Sequence, residues 1–210
     1  MKKLLLAFFA LPMLVFGQGS QDFSSTTLPT AYADGNFTSG GIVWTYGHSR
    51  DQENFPISGN GLMLRRASDS YLEWTLPAGV GSLTFEYRKA FTGANSRELE
   101  VLVNNTQVTV SPSFGAASGE DVTVHTLTHA INESGSATIR IKLTGTATTG
   151  RQTTIDNISW TAYAAPGCNI ATADLTALTC NNNTTTSDPA DDYISFSLNP
   201  TGAQLGATYT

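Results

Sequence analysis

The densest concentration of side chains able to do chemistry is the run Trp44-Thr45-Tyr46-Gly47-His48-Ser49-Arg50-Asp51. Aromatic rings beside Arg, Asp and His are the set a sugar site uses: a ring packs against the apolar face of a pyranose while fixed polar groups take its hydroxyls. Arg65, Phe91 and Arg97, with Asn54, Arg66 and Asn95, join this set if neighbouring loops meet at one end of the fold. The plainer reading is that Trp44 and Tyr46, two residues apart, both face a core, and that Arg50 and Asp51 form a loop ion pair.

A second cluster is Thr154-Ile155-Asp156-Asn157-Ile158-Ser159-Trp160. Strict alternation puts Ile155 on the face opposite Ile158 and Trp160, and a bulge at Asp156-Asn157 reconciles all three with one core. An acid there, near the start of the chain in space, could bind a structural Ca²⁺ with Asp22 or Asp34 and backbone carbonyls. The alternative is an Asp that caps backbone N–H groups beside the bulge.

Catalytic patterns are not found. The sequence has no Gly-x-Ser-x-Gly elbow, no His-Glu-x-x-His helix and no phosphate-cradling Gly-rich loop before a helix. His125 and His129 are four apart, but on a strand that spacing is about 13 Å, too far for one ion; they read as two solvated strand histidines. Glu73, Glu86, Glu98, Glu100 and Glu133 stand singly at polar alternate positions, as wet strand faces do. No catalytic residue is expected within this chain, and no cofactor beyond the structural Ca²⁺.

The elements that must position these residues have a period of two. In Ser82–Arg88, Leu83, Phe85 and Tyr87 share one face; Glu98–Val101 and Ala137–Leu143 repeat the pattern. Shorter runs are 41–46, 62–65, 71–76, 107–110, 122–128 and 154–163, separated by turn signals such as Asp34-Gly35, Pro77-Ala78-Gly79, Asn104-Asn105 and Ser134-Gly135. No segment reads as a helix. Eight to ten short strands with one wet and one buried face predict an all-β, antiparallel sandwich. Only 13% of the 210 residues are charged, and the net charge is −6, so neither a coiled coil nor an electrostatic attraction for nucleic acid is expected.

The termini of the chain differ from this middle part. Residues 1–18 have a basic start, a short apolar run and small residues at its end, the pattern of a secretory signal peptide. The run is too short for a comfortable membrane span, so the mature chain is expected outside the cell, secreted or at the surface. Residues 19–163 form the predicted sandwich, 164–167 a linker, and 168–210 the start of a second β-domain interrupted at Thr210. That last segment has four acids and no Lys or Arg. It holds both cysteines: Cys168 and Cys180 could close a short loop worth about 3 kcal/mol, or Cys180 could pair elsewhere.

The runs Gln21–Phe23, Ala33–Phe37, Ile42–Tyr46, Gly61–Arg65 and Ile155–Trp160 resemble galactose-binding-like jelly-roll domains, including MAM-type adhesion domains. They resemble most the N-terminal modules of large exported proteins of bacteria that use type IX secretion. The segment from Cys168 resembles the immunoglobulin-like repeats that follow in such proteins. The resemblance implies a non-catalytic binding or adhesion module with a polysaccharide or glycoconjugate partner. Its alternative is the substrate-targeting part of an extracellular hydrolase with a catalytic domain beyond residue 210. It leaves ligand and oligomeric state open.

Overall fold

The structure, a computed structural model, describes residues 17–66, 69–145, 150–165, 169–184 and 190–203. Most of the expected leader, and Cys168, lie outside the described residues. The chain divides into two compact units after Ala164. Among the described residues there is no α-helix, and no helix is long and apolar enough to cross a membrane.

Among the described residues, the first unit is an antiparallel β-sandwich of eleven strands. These are β1 (Gly19–Gln21), β2 (Ala33–Ser39), β3 (Ile42–Asp51), β4 (Leu62–Leu64), β5 (Tyr71–Leu76), β6 (Val80–Lys89), β7 (Leu99–Val103), β8 (Thr106–Val110), β9 (His125–Glu133), β10 (Ala137–Leu143) and β11 (Thr153–Trp160). Their pairing follows β8-β7-β10-β5-β3-β4-β11-β6-β9, with β2 added to β3 and β1 to β11. The sheet folds over on itself at β3. Trp44–Gly47 pair with β5, whereas Ser49–Asp51 pair with β4. One strand therefore belongs to both layers.

Alternation makes the core. Leu72, Trp74 and Leu76 of β5 and Ile139, Ile141 and Leu143 of β10 are buried in one cluster with Phe85, Leu127, Ile155 and Ile158 from the other layer. Trp44 and Trp74 are cross-strand partners with ring centroids 4.6 Å apart, and Trp160 lies 5.9 Å from Trp44. Burying three indoles in contact supplies much of the apolar area that holds the layers together. The bulge expected at Asp156-Asn157 is present: the β11–β6 register shifts between Asp156 and Ser159, Asn157 has φ 48°, and Ile155, Ile158 and Trp160 all reach the core.

Two local expectations need correction. Asp34-Gly35 lies within β2, not at a turn, because β2 bulges between Ala33 and Gly35 to follow β3. His125 and His129 are half-buried instead of solvated, since they flank inward-facing Leu127 on β9, and His125 stacks on Tyr87 at 5.3 Å.

The second unit contains a two-stranded antiparallel sheet, β12 (Asn169–Asn181) with β13 (Tyr193–Ala203). Tyr193, Ile194 and Phe196 are exposed, as is Cys180.

Candidate functional site

The site grows from the point where β3 leaves one layer for the other. Gly47 packs so closely under β5 that a Cβ there would run into the Tyr71 ring and lie 2.7 Å from the Asp69 carbonyl oxygen. The next residue, His48, takes φ 38°, a left-handed conformation that costs a residue with a Cβ. Two side chains hold it there. The Asp34 carboxylate accepts from the His48 N–H at 2.7 Å, and Ser70 Oγ donates to the His48 carbonyl at 2.8 Å. Ser70 Oγ also accepts from the N–H groups of Arg65 and Arg66. The kink is thereby fully hydrogen-bonded, and it turns the imidazole outward.

Around that imidazole the structure assembles His48, Arg50, Asp51 and Arg65 of the expected set. Their centre is Tyr32, which sequence reasoning passed over. His48 stacks on Tyr32 with centroids 5.7 Å apart and planes at 5°; the Arg65 and Arg50 guanidinium carbons lie 5.0 and 5.7 Å from the Tyr32 centroid. Arg65 Nη1 is 2.6 Å from His48 Nε2. Since arginine only donates, Nε2 is the acceptor in this contact. Arg50 is neutralised by Asp51 at 3.2 Å and Glu53 at 3.1 Å. Tyr32 Oη donates to Met63 Sδ at 3.2 Å, and burial raises the phenol above its ordinary pKa.

On the other side of His48 opens a cleft of about 360 Å³, lined by Asp34, His48, Asp69, Ser70, Tyr71, Arg140 and Lys142. Tyr71 and Lys142 are cross-strand partners on the outward row of β5 and β10. The Arg140 guanidinium carbon lies 4.7 Å from the Tyr71 centroid, and Glu73 anchors that guanidinium at 2.6 Å. Lys142 pairs with Glu100 at 3.1 Å, and Arg66 with Asp69 at 2.8 Å. The cleft thus offers a half-buried ring with its hydroxyl and both signs of charge.

Four expected ligand residues are not part of this surface. Trp44 and Tyr46 are buried in the core, with Trp44 1% exposed, because they share the inward face of β3 with Ile42. Arg97 is fully buried. Its guanidinium donates to the carbonyls of Asn95, Gly115, Gln152, Gly150 and Ala90, a set that occupies the fork. Burial, with the Arg151 charge adding to it, lowers its pKa to about 10, still far above neutrality. Phe91 takes φ 60° and packs on Phe55 at 4.5 Å, in the neighbouring loops.

Of the three acids suggested for calcium, Asp22 lies within electrostatic reach of Asp156, whereas Asp34 is engaged elsewhere. Asp34 is committed to the His48 backbone, and exposed Asp22 accepts from the Ser24 N–H and Oγ. Asp156 is fully buried and accepts from the N–H groups of Asn157 at 2.7 Å and Ser58 at 3.2 Å. Burial pushes its carboxyl up to about 6; the Asp22 and Glu86 carboxylates push the same way, and the two N–H donors oppose them. Among the described residues no three His, Cys, Asp or Glu side chains form a ready metal cage. Cys180 is placed, but its suggested partner Cys168 is outside the described residues.

No protein-family model matches the chain, and no curated protein matches it. Among solved structures it is similar to a carbohydrate-binding module CBM36 in complex with calcium and xylotriose, at 14% identity and TM-score 0.41, over 68% of this chain and 99% of that one. It is also similar to a family 35 carbohydrate-binding module from Clostridium thermocellum, at 14% identity and TM-score 0.39, over 61% and 97%. A third is the K1 cleaved adhesin domain of Lys-gingipain from Porphyromonas gingivalis W83, at 14% identity and TM-score 0.44, over 70% and 99%.

Proposed function

We propose that the sandwich is a non-catalytic, exported binding module whose cleft beside His48 takes a polysaccharide chain. What supports this reading is the cleft itself: the Tyr71 ring, steadied by Arg140, beside Ser70, Asp34, Asp69, Lys142 and His48. A sugar needs an aromatic surface for its C–H face and fixed donors and acceptors for its hydroxyls, and this arrangement offers both. The test is affinity electrophoresis of the chain through plant, algal and bacterial polysaccharides, followed by Tyr71→Ala and Lys142→Ala. Retention on at least one polymer that either substitution reduces at least about tenfold, equivalent to about 1.4 kcal/mol, is the expected result. Silence across the panel, or retention unchanged in both variants, overturns the reading.

A structural calcium is a second reading, and the observation favouring it is buried Asp156 with the Asp22 and Glu86 carboxylates in electrostatic reach. Asp156 and Asp22 would hold the ion, with backbone carbonyls completing its oxygen shell. The ion would neutralise the buried carboxylate and so raise stability. A melting temperature that is the same in calcium and in chelator rejects it.

A further inference from the structure

Strand β9 is an outer edge of the sandwich: it pairs with β6 on one side, and among the described residues nothing pairs with the other. At nine residues it is long for a free edge, and it contains no Lys, Arg or Pro, the residues that commonly blunt such edges. Thr126, Thr128 and Ala130 on its outward face are exposed.

Its sequence is a palindrome. His125-Thr126-Leu127-Thr128-His129 reads the same in both directions and is flanked by apolar Val124 and Ala130. Residues directly opposite in an antiparallel ladder point to the same face of the sheet. Two copies of this strand related by a two-fold axis at Leu127 therefore match like with like. Leu127 meets Leu127, Thr126 meets Thr128, His125 meets His129, and Val124 meets Ala130. The β6–β9 register is unbroken from Tyr87↔His125 to Ser82↔Ala130, so the whole palindrome lies on regular ladder. Beyond it, the register shift before Glu133 and the φ of 55° at Asn132 bend the edge away and limit pairing to this stretch.

The outward row is already prepared for a hydroxyl partner. Thr128 Oγ1 lies 3.0 Å from Thr84 Oγ1, and Thr84 pairs in turn with Ser159 and Ser159 with Ser20. A hydroxyl has one donor and two acceptor positions, so Thr128 can extend this row to Thr126 of another copy. The inward row would carry Leu127 against its own copy, beside the core.

We propose that β9 is a self-association edge, on which a second copy of this chain adds antiparallel about Leu127 and makes one sheet continuous across two molecules. An interface of one short strand per copy belongs to the weak, concentration-dependent class. The test is sedimentation equilibrium of the full chain from ~10 µM to ~1 mM, a span suited to such weak contacts. The mass is expected to rise from one chain toward two. The double variants T126K/T128K and T126E/T128E place like charges opposite one another twice, and each is expected to associate at least ten times more weakly. Mixing the Lys and Glu variants restores a heterodimer, which also shows that both are folded. A wild-type chain that stays monomeric throughout, variants that associate as wild type does, or a mixture that does not recover association overturns the proposal.

Discussion

Arg65 donates to His48 Nε2 across 2.6 Å, while the Asp34 carboxylate holds the His48 backbone at φ 38° from the other side. One residue thus carries both the kink that moves β3 between layers and the imidazole that separates the Tyr32 cluster from the cleft. Its backbone and its ring are separable by substitution. His48→Gly keeps the left-handed kink without a Cβ and is expected to hold stability within about 1 kcal/mol of wild type, whereas His48→Ala loses about 1 kcal/mol more. Both remove the imidazole and are expected to reduce polysaccharide retention alike. Urea titration and affinity electrophoresis of the two variants measure the two effects side by side.

Trp44→Ala acts on the core and not on a ligand. It empties an indole site between Trp74 and Trp160 and is expected to cost about 3–5 kcal/mol in chemical denaturation. Retention per folded molecule is expected to stay unchanged. A selective loss of retention at normal stability would return Trp44 to the binding surface.

Arg97→Met removes a buried cation that accounts for five backbone carbonyls from the segments around Ala90, Asn95, Gly115 and Gly150–Gln152. Those carbonyls lose their donors in a site closed to water, and a loss of about 3 kcal/mol or more is expected. Hydrogen exchange should quicken in these loops before it does in β5 or β10.

Asp156 makes stability depend on pH in an unusual direction. Its folded pKa, about 6, lies above its unfolded value of 3.8, so the folded state binds the proton more tightly. Its ionisation therefore destabilises the fold above pH 6, and that penalty is relieved as pH falls from about 6 toward 4. The expected gain is on the order of 2 kcal/mol. Asp156→Asn, which keeps an acceptor but no charge, is expected to be more stable than wild type at pH 7.5 without calcium and to lose this slope. Melting curves of both proteins between pH 4.5 and 7.5 test it.

Much of the fold was legible because alternation is a local property. The Ile155, Ile158 and Trp160 pattern required a bulge, and Tyr71–Leu76 and Ala137–Leu143 were bounded as the structure has them. The same rule bears on the candidate site. Trp44 and Tyr46 share the parity of Ile42, so their burial was readable, whereas Tyr71 was not singled out by any sequence pattern and came into view only with the cleft it lines.

The sequence by itself determined that this is an all-β chain, with a periodicity of two, low charge and a core of indoles and branched aliphatics, because each of these depends only on neighbours along a strand. Tertiary structure alone decided the chemistry of the charged and loop residues. Tyr32 has no periodic neighbour to announce it, and it becomes a centre only when β3 and the end of β4 bring His48, Arg50 and Arg65 to its ring. Arg97 reads as a surface charge until loops up to 55 residues away in sequence close their carbonyls around it. Backbone carbonyls carry no residue-specific signal, so a site built from them has no sequence pattern to read.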